Sequence, residues 1–172
     1  MSIPTPLTPG PSAQSPSTQL THLNANGEAH MVDVSDRAET VRTATASGKV
    51  LLTKEVLGLI VSGTTPKGDV MSTARIAGIM GAKKTSELIP LCHPIAISSV
   101  NVDIKVVDDG VAIIATVKIA DRTGVEMEAL TAVSIAALTI IDMVKALDPG
   151  ASIVNVRVEE KDGGRNGHWK RP

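Results

Sequence analysis

The sequence predicts an α+β fold, a ferredoxin-like βαββαβ sandwich in which helices cover one face of an antiparallel sheet. Three observations carry this reading. Val100, Val102, Ile104 and Val106 recur at period two, as in a strand with one buried face. Asp108-Asp109-Gly110 follows as a hairpin turn signal, so residues 111–120 return as the partner strand. Residues 125–147 then read as one long helix that stops before Pro149 and Gly150.

The remaining elements fill in the order. Residues 1–19 interleave Pro4, Pro6, Pro9, Pro11 and Pro16 with Ser and Thr. Such a segment buries too little apolar surface to offset chain entropy, so it is expected to be a disordered tail. Residues 20–37 are turn-rich and polar, extended or irregular. Thr40, Val41, Thr43 and Thr45 mark a strand over 39–46. Thr53 stands where a cap belongs, ahead of a helix over 54–61 that Gly63 and Pro66 end. A second helix is expected from 70 to 80, reaching as far as Lys83, and 85–88 adds a short turn. Ile153, Val154, Val156 and Val158 form the last strand. The organisation is then a tail (1–19), one domain (20–160) and a flexible basic C-terminal tail (161–172).

At 172 residues and 42% apolar, the chain supports one sizeable core. That core must be aliphatic, because there is no Phe or Tyr and the one Trp is Trp169. Aliphatic residues bury less area than rings, which favours additional burial between subunits. A net charge of −1 and missing aromatics argue against nucleic acid as partner. The single Cys92 excludes an intramolecular disulfide and suits a reducing compartment. No basic stretch leads into an apolar run at the N-terminus. The longest apolar run, 129–143, is broken by Thr131, Ser134, Thr139 and Asp142 and is short for a membrane span. A cytoplasmic protein with no membrane partner is expected.

Chemistry concentrates in four places. The long helix is apolar on almost every side and is expected to be buried on every side, yet it carries Glu126, Glu128, Asp142 and Lys145. Asp142 and Lys145 are helical neighbours, either a local ion pair or a proton-transfer pair. Glu126 and Glu128 lie where the helix dipole favours carboxylates. Glu128 and Asp142 are fourteen residues apart, about 21 Å along the axis. One helix therefore cannot bring both to one small group. An extended ligand must span them, or two subunits must share the site.

Lys67-Gly68-Asp69 opens the second helix, where a lysine beside backbone N–H groups suits phosphate; Arg75, Lys83 and Lys84 follow. No Walker pattern accompanies them, and a solvated basic face is the plainer alternative. Leu91-Cys92-His93-Pro94 is stiffened by its prolines. No second close Cys or His joins Cys92 and His93, so a zinc site is not expected. Cys92 reads as packed, and His93 as the better acid–base or substrate contact. Lys161-Asp162-Gly163-Gly164-Arg165 joins flexible backbone to cations and is either disordered or a closure over phosphate.

Four strings in order, LTHLNANGEAHMVDVS (20–35), KGDVMSTARIAG (67–78), LIPLCHP (88–94) and TGVEMEALTAVSIAALTIIDMVKA (123–146), resemble the MoaC family of molybdenum cofactor biosynthesis, the cyclic pyranopterin monophosphate synthases. The likeness covers nearly everything after the N-terminal tail. It implies a homohexamer, a trimer of dimers, with sites at the dimer interface. It implies 3′,8-cyclo-7,8-dihydro-GTP as substrate, with cyclic pyranopterin monophosphate and pyrophosphate as products. Under it, Asp142 and Lys145 become the catalytic pair, with Lys67 beside them. Leu91, Cys92, His93, Met127 and Glu128 become substrate contacts, and Arg42, Lys83, Glu126 and Lys161 further pocket residues. Ile141 and Val144 stand where many members have Tyr and Cys, and Arg165 where Lys is common. No cofactor or protein-held metal is called for, and Mg2+ accompanying the triphosphate stays open. A non-catalytic, small-molecule-sensing oligomer of the same fold is the alternative; it would need fewer acid–base groups.

Overall fold

The computed structural model describes residues 26–165 and 167–172. The expected tail over 1–19, and the first part of the 20–35 string, lie outside the described residues. The chain divides into two units, Met1–Val32 and Asp33–Pro172. Of the first, the described part holds a turn at Asn26 and Gly27. Everything below belongs to the second.

The second unit runs β1 (Thr40–Leu51), α1 (Lys54–Ser62), α2 (Val70–Lys83), α3 (Thr85–Leu88), β2 (Ile97–Val107), β3 (Gly110–Asp121), α4 (Glu126–Val144), β4 (Ser152–Asp162) and β5 (Trp169–Lys170). The sheet order is β2-β3-β1-β4-β5, every pairing antiparallel. Its first four strands have the split βαββαβ topology read from the sequence. Helices α4 and α2 lie side by side on one face, α4 over β1, β3 and β4, and α2 over β2.

Alternation decides which face is covered. In β3, Val111, Ile113, Ala115, Val117 and Ile119 are buried under the helices, as are Ala44, Ala46 and Val50 in β1. Val102 and Ile104 do the same in β2, as their period predicts. From α4, Val133, Ala136, Ile140 and Val144 descend into this layer and are fully buried.

Several boundaries differ from expectation. Strand β1 continues through Ser47 and Gly48 to Leu51, beyond the expected end at 46. Gly48 is a slot: a Cβ there would stand 2.6 Å from Val133 Cγ1 of α4. Its missing side chain lets the helix settle on the sheet. Thr53 precedes α1 as expected, but its side chain caps nothing. Its backbone N–H donates to the buried Asp148 carboxylate at 2.8 Å, which ties the end of α4 to the start of α1. Helix α4 closes at Val144, and the N–H groups of Leu147 and Asp148 turn back to the Val144 carbonyl. Strand β4 runs four residues past 158, and its end is paired by β5, within the stretch expected as a tail.

By length and composition α4 could cross a membrane, yet over half of it is buried within the fold. Its burial is not complete, which corrects the expectation of a helix covered on every side. Leu138 is 53% exposed, and on α2 Ile76 and Met80 are 60% and 55% exposed. Among the described residues, these three side chains of the helical layer remain uncovered.

Candidate functional site

The predicted polar residues gather into two clusters at opposite ends of α4. At its C-terminal end, Asp142 is clamped between two lysines. Lys145 Nζ donates to Oδ1 at 2.8 Å, and Lys67 Nζ to Oδ2 at 3.0 Å and to the Asp142 carbonyl at 2.7 Å. Lys67 reaches this point because α2 runs back along α4. Its start is anchored by Asp69, whose carboxylate accepts from Ser72 N–H at 2.9 Å. The local ion pair between Asp142 and Lys145 is therefore present, and Lys67 completes it. The hydrogen bonds from Lys145 and then Lys67 hold the Asp142 carboxyl below its ordinary value. Within one chain this carboxylate is 58% exposed rather than partly buried, so the cluster is an open rim.

The second cluster surrounds the start of α4. Glu128 is 3% exposed. Burial, and then the charge of Glu126, push its carboxyl above the ordinary range. Cys92 lies near enough to feel its charge: burial, and then Glu128, raise the thiol. A thiol so raised stays protonated, and the side chain is half-buried rather than part of the core. Glu126 points to Lys161, whose Nζ donates to Oε1 at 2.8 Å. Burial alone would raise Glu126, but the Lys161 hydrogen bond and backbone N–H groups bring it below its usual value. Lys161 gets there because its β4 position faces the helices, opposite Ala44 of β1.

Arg42, near the start of β1, donates through Nε to the Asp121 carbonyl at 3.1 Å and to Thr40 Oγ1 at 3.2 Å, and Gly164 passes close to its guanidinium. Leu91 and Met127 are exposed at this end. Lys83 is exposed at the last turn of α2. The structure places it in neither ion-paired group.

One residue of this cluster went unnoticed in the sequence. Asp33 lies near enough to His93 to feel its charge, after the stronger effects of Ser35 N–H and Oγ at 2.8 and 2.7 Å. It sits inside the 20–35 string, where the alternation Met31-Val32-Asp33-Val34 resembles an ordinary strand. Among the described residues, no three His, Cys, Asp or Glu side chains gather as a metal site.

The arrangement couples a held anion with two ammonium groups at one end, and a buried carboxyl with a histidine and a lysine at the other. The first suits proton movement and phosphate; the second suits recognition of a polar ring. Burial of Glu128 has a measurable cost. A carboxyl whose folded pKa is raised favours the fold while protonated and opposes it once pH rises through that value. Glu128→Gln should therefore raise the thermal midpoint at pH 7 by about 2–4 °C, roughly 1 kcal/mol. The gain should vanish below the ordinary glutamate range. Calorimetry across pH checks this, and a lower midpoint at pH 7 would contradict it.

Comparison with known proteins gives consistent results. A profile described as the MoaC family matches residues 31–164. A Streptomyces avermitilis protein named cyclic pyranopterin monophosphate synthase is 62% identical over 164 residues, 95% of this chain and 95% of its own length. Its namesake in Streptomyces coelicolor is 59% identical over 163 residues, 95% of this chain and 96% of its own. The Mycobacterium tuberculosis protein named cyclic pyranopterin monophosphate synthase 2 is 56% identical over 155 residues, 90% of this chain and 93% of its own.

Proposed function

The chain belongs to the MoaC family, and from that membership we propose how its two polar clusters work as one site. Its activity is that of its relatives. It is a lyase of molybdenum cofactor biosynthesis that converts (8S)-3′,8-cyclo-7,8-dihydroguanosine 5′-triphosphate to cyclic pyranopterin monophosphate and diphosphate.

The observation that carries the site proposal is the placement of Glu128 and Asp142 toward opposite ends of one rigid helix. Two copies resolve the separation. A twofold axis over the outer side of α4 near Ile135, midway between them, lays the start of one helix beside the end of its partner. The uncovered Ile76, Met80 and Leu138 supply apolar surface for that contact. Each dimer then holds two composite sites, and three dimers make the hexamer that the family resemblance implies.

In such a site Lys67, Lys83, Lys161 and Arg42 meet the triphosphate. Leu91, Cys92, His93, Met127 and Glu128 position the guanine-derived ring, with Glu126 held by Lys161. Asp142, ionised between its lysines, and Lys145 move protons as the five-membered ring opens and the pyrazine closes. A sugar hydroxyl then attacks the α-phosphorus, closing the cyclic phosphate and expelling pyrophosphate. Positioning supplies much of the rate, since that attack is intramolecular. The protein contributes no metal ligands in this scheme; Mg2+ would travel with the substrate phosphates. We infer work in a reducing, cytoplasmic compartment, which the single Cys92 suits.

Mixing protomers tests the composite site. Glu128→Ala and Asp142→Ala proteins should each be nearly inactive. Unfolded and refolded together in equal amounts, they should regain about a quarter of wild-type pyrophosphate release, since half the dimers are mixed and each restores one of two sites. No recovery in verified mixed dimers would place each site within one protomer.

A further inference from the structure

The family profile ends at residue 164, and the chain's one aromatic residue, Trp169, lies beyond it. We propose that Trp169 and Arg171 are positioning residues, and that β5 is a strap holding Lys161 in place against Glu126. The proposal rests on the reading that Lys161 contacts substrate.

After β4 the chain turns through Gly163 and Gly164, passing so close to the Val41 carbonyl that a Cβ on Gly163 would collide with it. It then doubles back as β5, which pairs Lys170 with Glu160 and Trp169 with Lys161. Without β5, the end of β4 would be an edge strand. Among the described residues its ladder would then be the one to β1, through Thr43, Ala44 and Thr45, and that ladder is interrupted by a register shift between Thr45 and Ala46. An irregularity this close leaves the last pairs weakly held.

The strap adds ties on the other side. Arg171 N–H donates to the Glu159 carbonyl at 2.8 Å, and its Nε to the Val158 carbonyl at 2.8 Å. The same guanidinium lies 5.5 Å from the centre of the Trp169 ring. Lys170 stands 3.8 Å from Glu160, and His168, just ahead of β5, stands 3.6 Å from Glu160 and 3.8 Å from Asp162. Trp169 and Lys161, directly opposite, share the face turned to the helices. A lysine is a flexible stem, and its ammonium is only as well placed as the backbone that carries it. Fixed from both sides, Lys161 meets Glu126 at 2.8 Å beside the buried Glu128.

The test uses full-length protein with Trp169→Ala or Trp169→Phe, each in the wild-type and Lys161→Ala backgrounds. Kinetics are read by pyrophosphate release, and amide exchange over residues 158–162 by mass spectrometry. Trp169→Ala should raise KM about fivefold, with kcat changed less than about twofold, and should speed exchange at 158–162. Trp169→Phe, which keeps a ring, should recover most of the loss. In the Lys161→Ala background the same change should add nothing further. An equal KM rise in both backgrounds would make the strap a general stabiliser and overturn the proposal, as would unchanged exchange in Trp169→Ala. If Lys161→Ala leaves kinetics untouched while Trp169→Ala speeds exchange, the substrate role of Lys161 falls and the hold of β5 on β4 stands.

Discussion

Lys145→Ala is expected to lower turnover by about 10²–10⁴-fold while leaving stability within about 0.5 kcal/mol. The two halves of this expectation have different causes. The pair with Asp142 joins i to i+3 at the helix end and is largely exposed, so it contributes little to folding. Its chemical contribution is another matter, because an ammonium beside an ionised carboxylate can give and recover a proton. Lys145→Arg should not restore activity, since a guanidinium does not release its proton near neutral pH. Pyrophosphate release alongside thermal melting separates the effects. Wild-type turnover in Lys145→Ala would remove the residue from the reaction. The carboxylate partner adds a pH criterion. Asp142 has a depressed folded pKa, so its contribution to stability is present above the ordinary aspartate value and lost as pH falls through the folded one. It stays ionised across the neutral range, and any activity limb found there belongs to another group.

Gly78→Leu is expected to destabilise the fold by about 2–3 kcal/mol and to reduce activity with it. Helix α2 meets α4 through small residues. A Cβ on Gly78 would stand 2.9 Å from the Ala132 carbonyl and 3.2 Å from Ala136 Cβ, and one on Gly81 would stand 2.7 Å from Ile135 Cγ1. A leucine must push the helices apart. The same displacement draws Lys67, at the head of α2, away from Asp142 on α4. The contrasting control is Gly58→Ala in α1, where a Cβ meets nothing within 4 Å. There, helix propensity alone acts and should stabilise by up to about 1 kcal/mol. Urea unfolding of both variants checks the pair. Equal midpoints for wild type and Gly78→Leu would mean the interface tolerates a spacing this packing forbids.

The fold was legible wherever a residue's fate depends on near neighbours. The period of Val100 to Val106, the turn at Asp109-Gly110 and the stop before Pro149 each write their element locally, and β2, the hairpin and α4 follow. The continuation of β1 through Gly48 was not legible, because that residue's role is set by Val133, far along the chain. Thr53 misled because the group serving its N–H is Asp148, from the end of another helix. Trp169 and its strap were missed for the same reason: two residues carry no period, and only the exposed edge of β4 makes them a strand.

The site divides along the same line. Sequence by itself determined the residue types, the four strings that resemble one family, and the separation of Glu128 from Asp142, because a helix has a fixed rise per residue. Only the tertiary structure decided that Lys67 joins Asp142, that Lys161 reaches Glu126, and that Asp33 stands by His93. Those pairs are made by packing α2 and β4 against α4, and spacing along a chain does not encode distance between segments that meet only when the sheet and its helices close together.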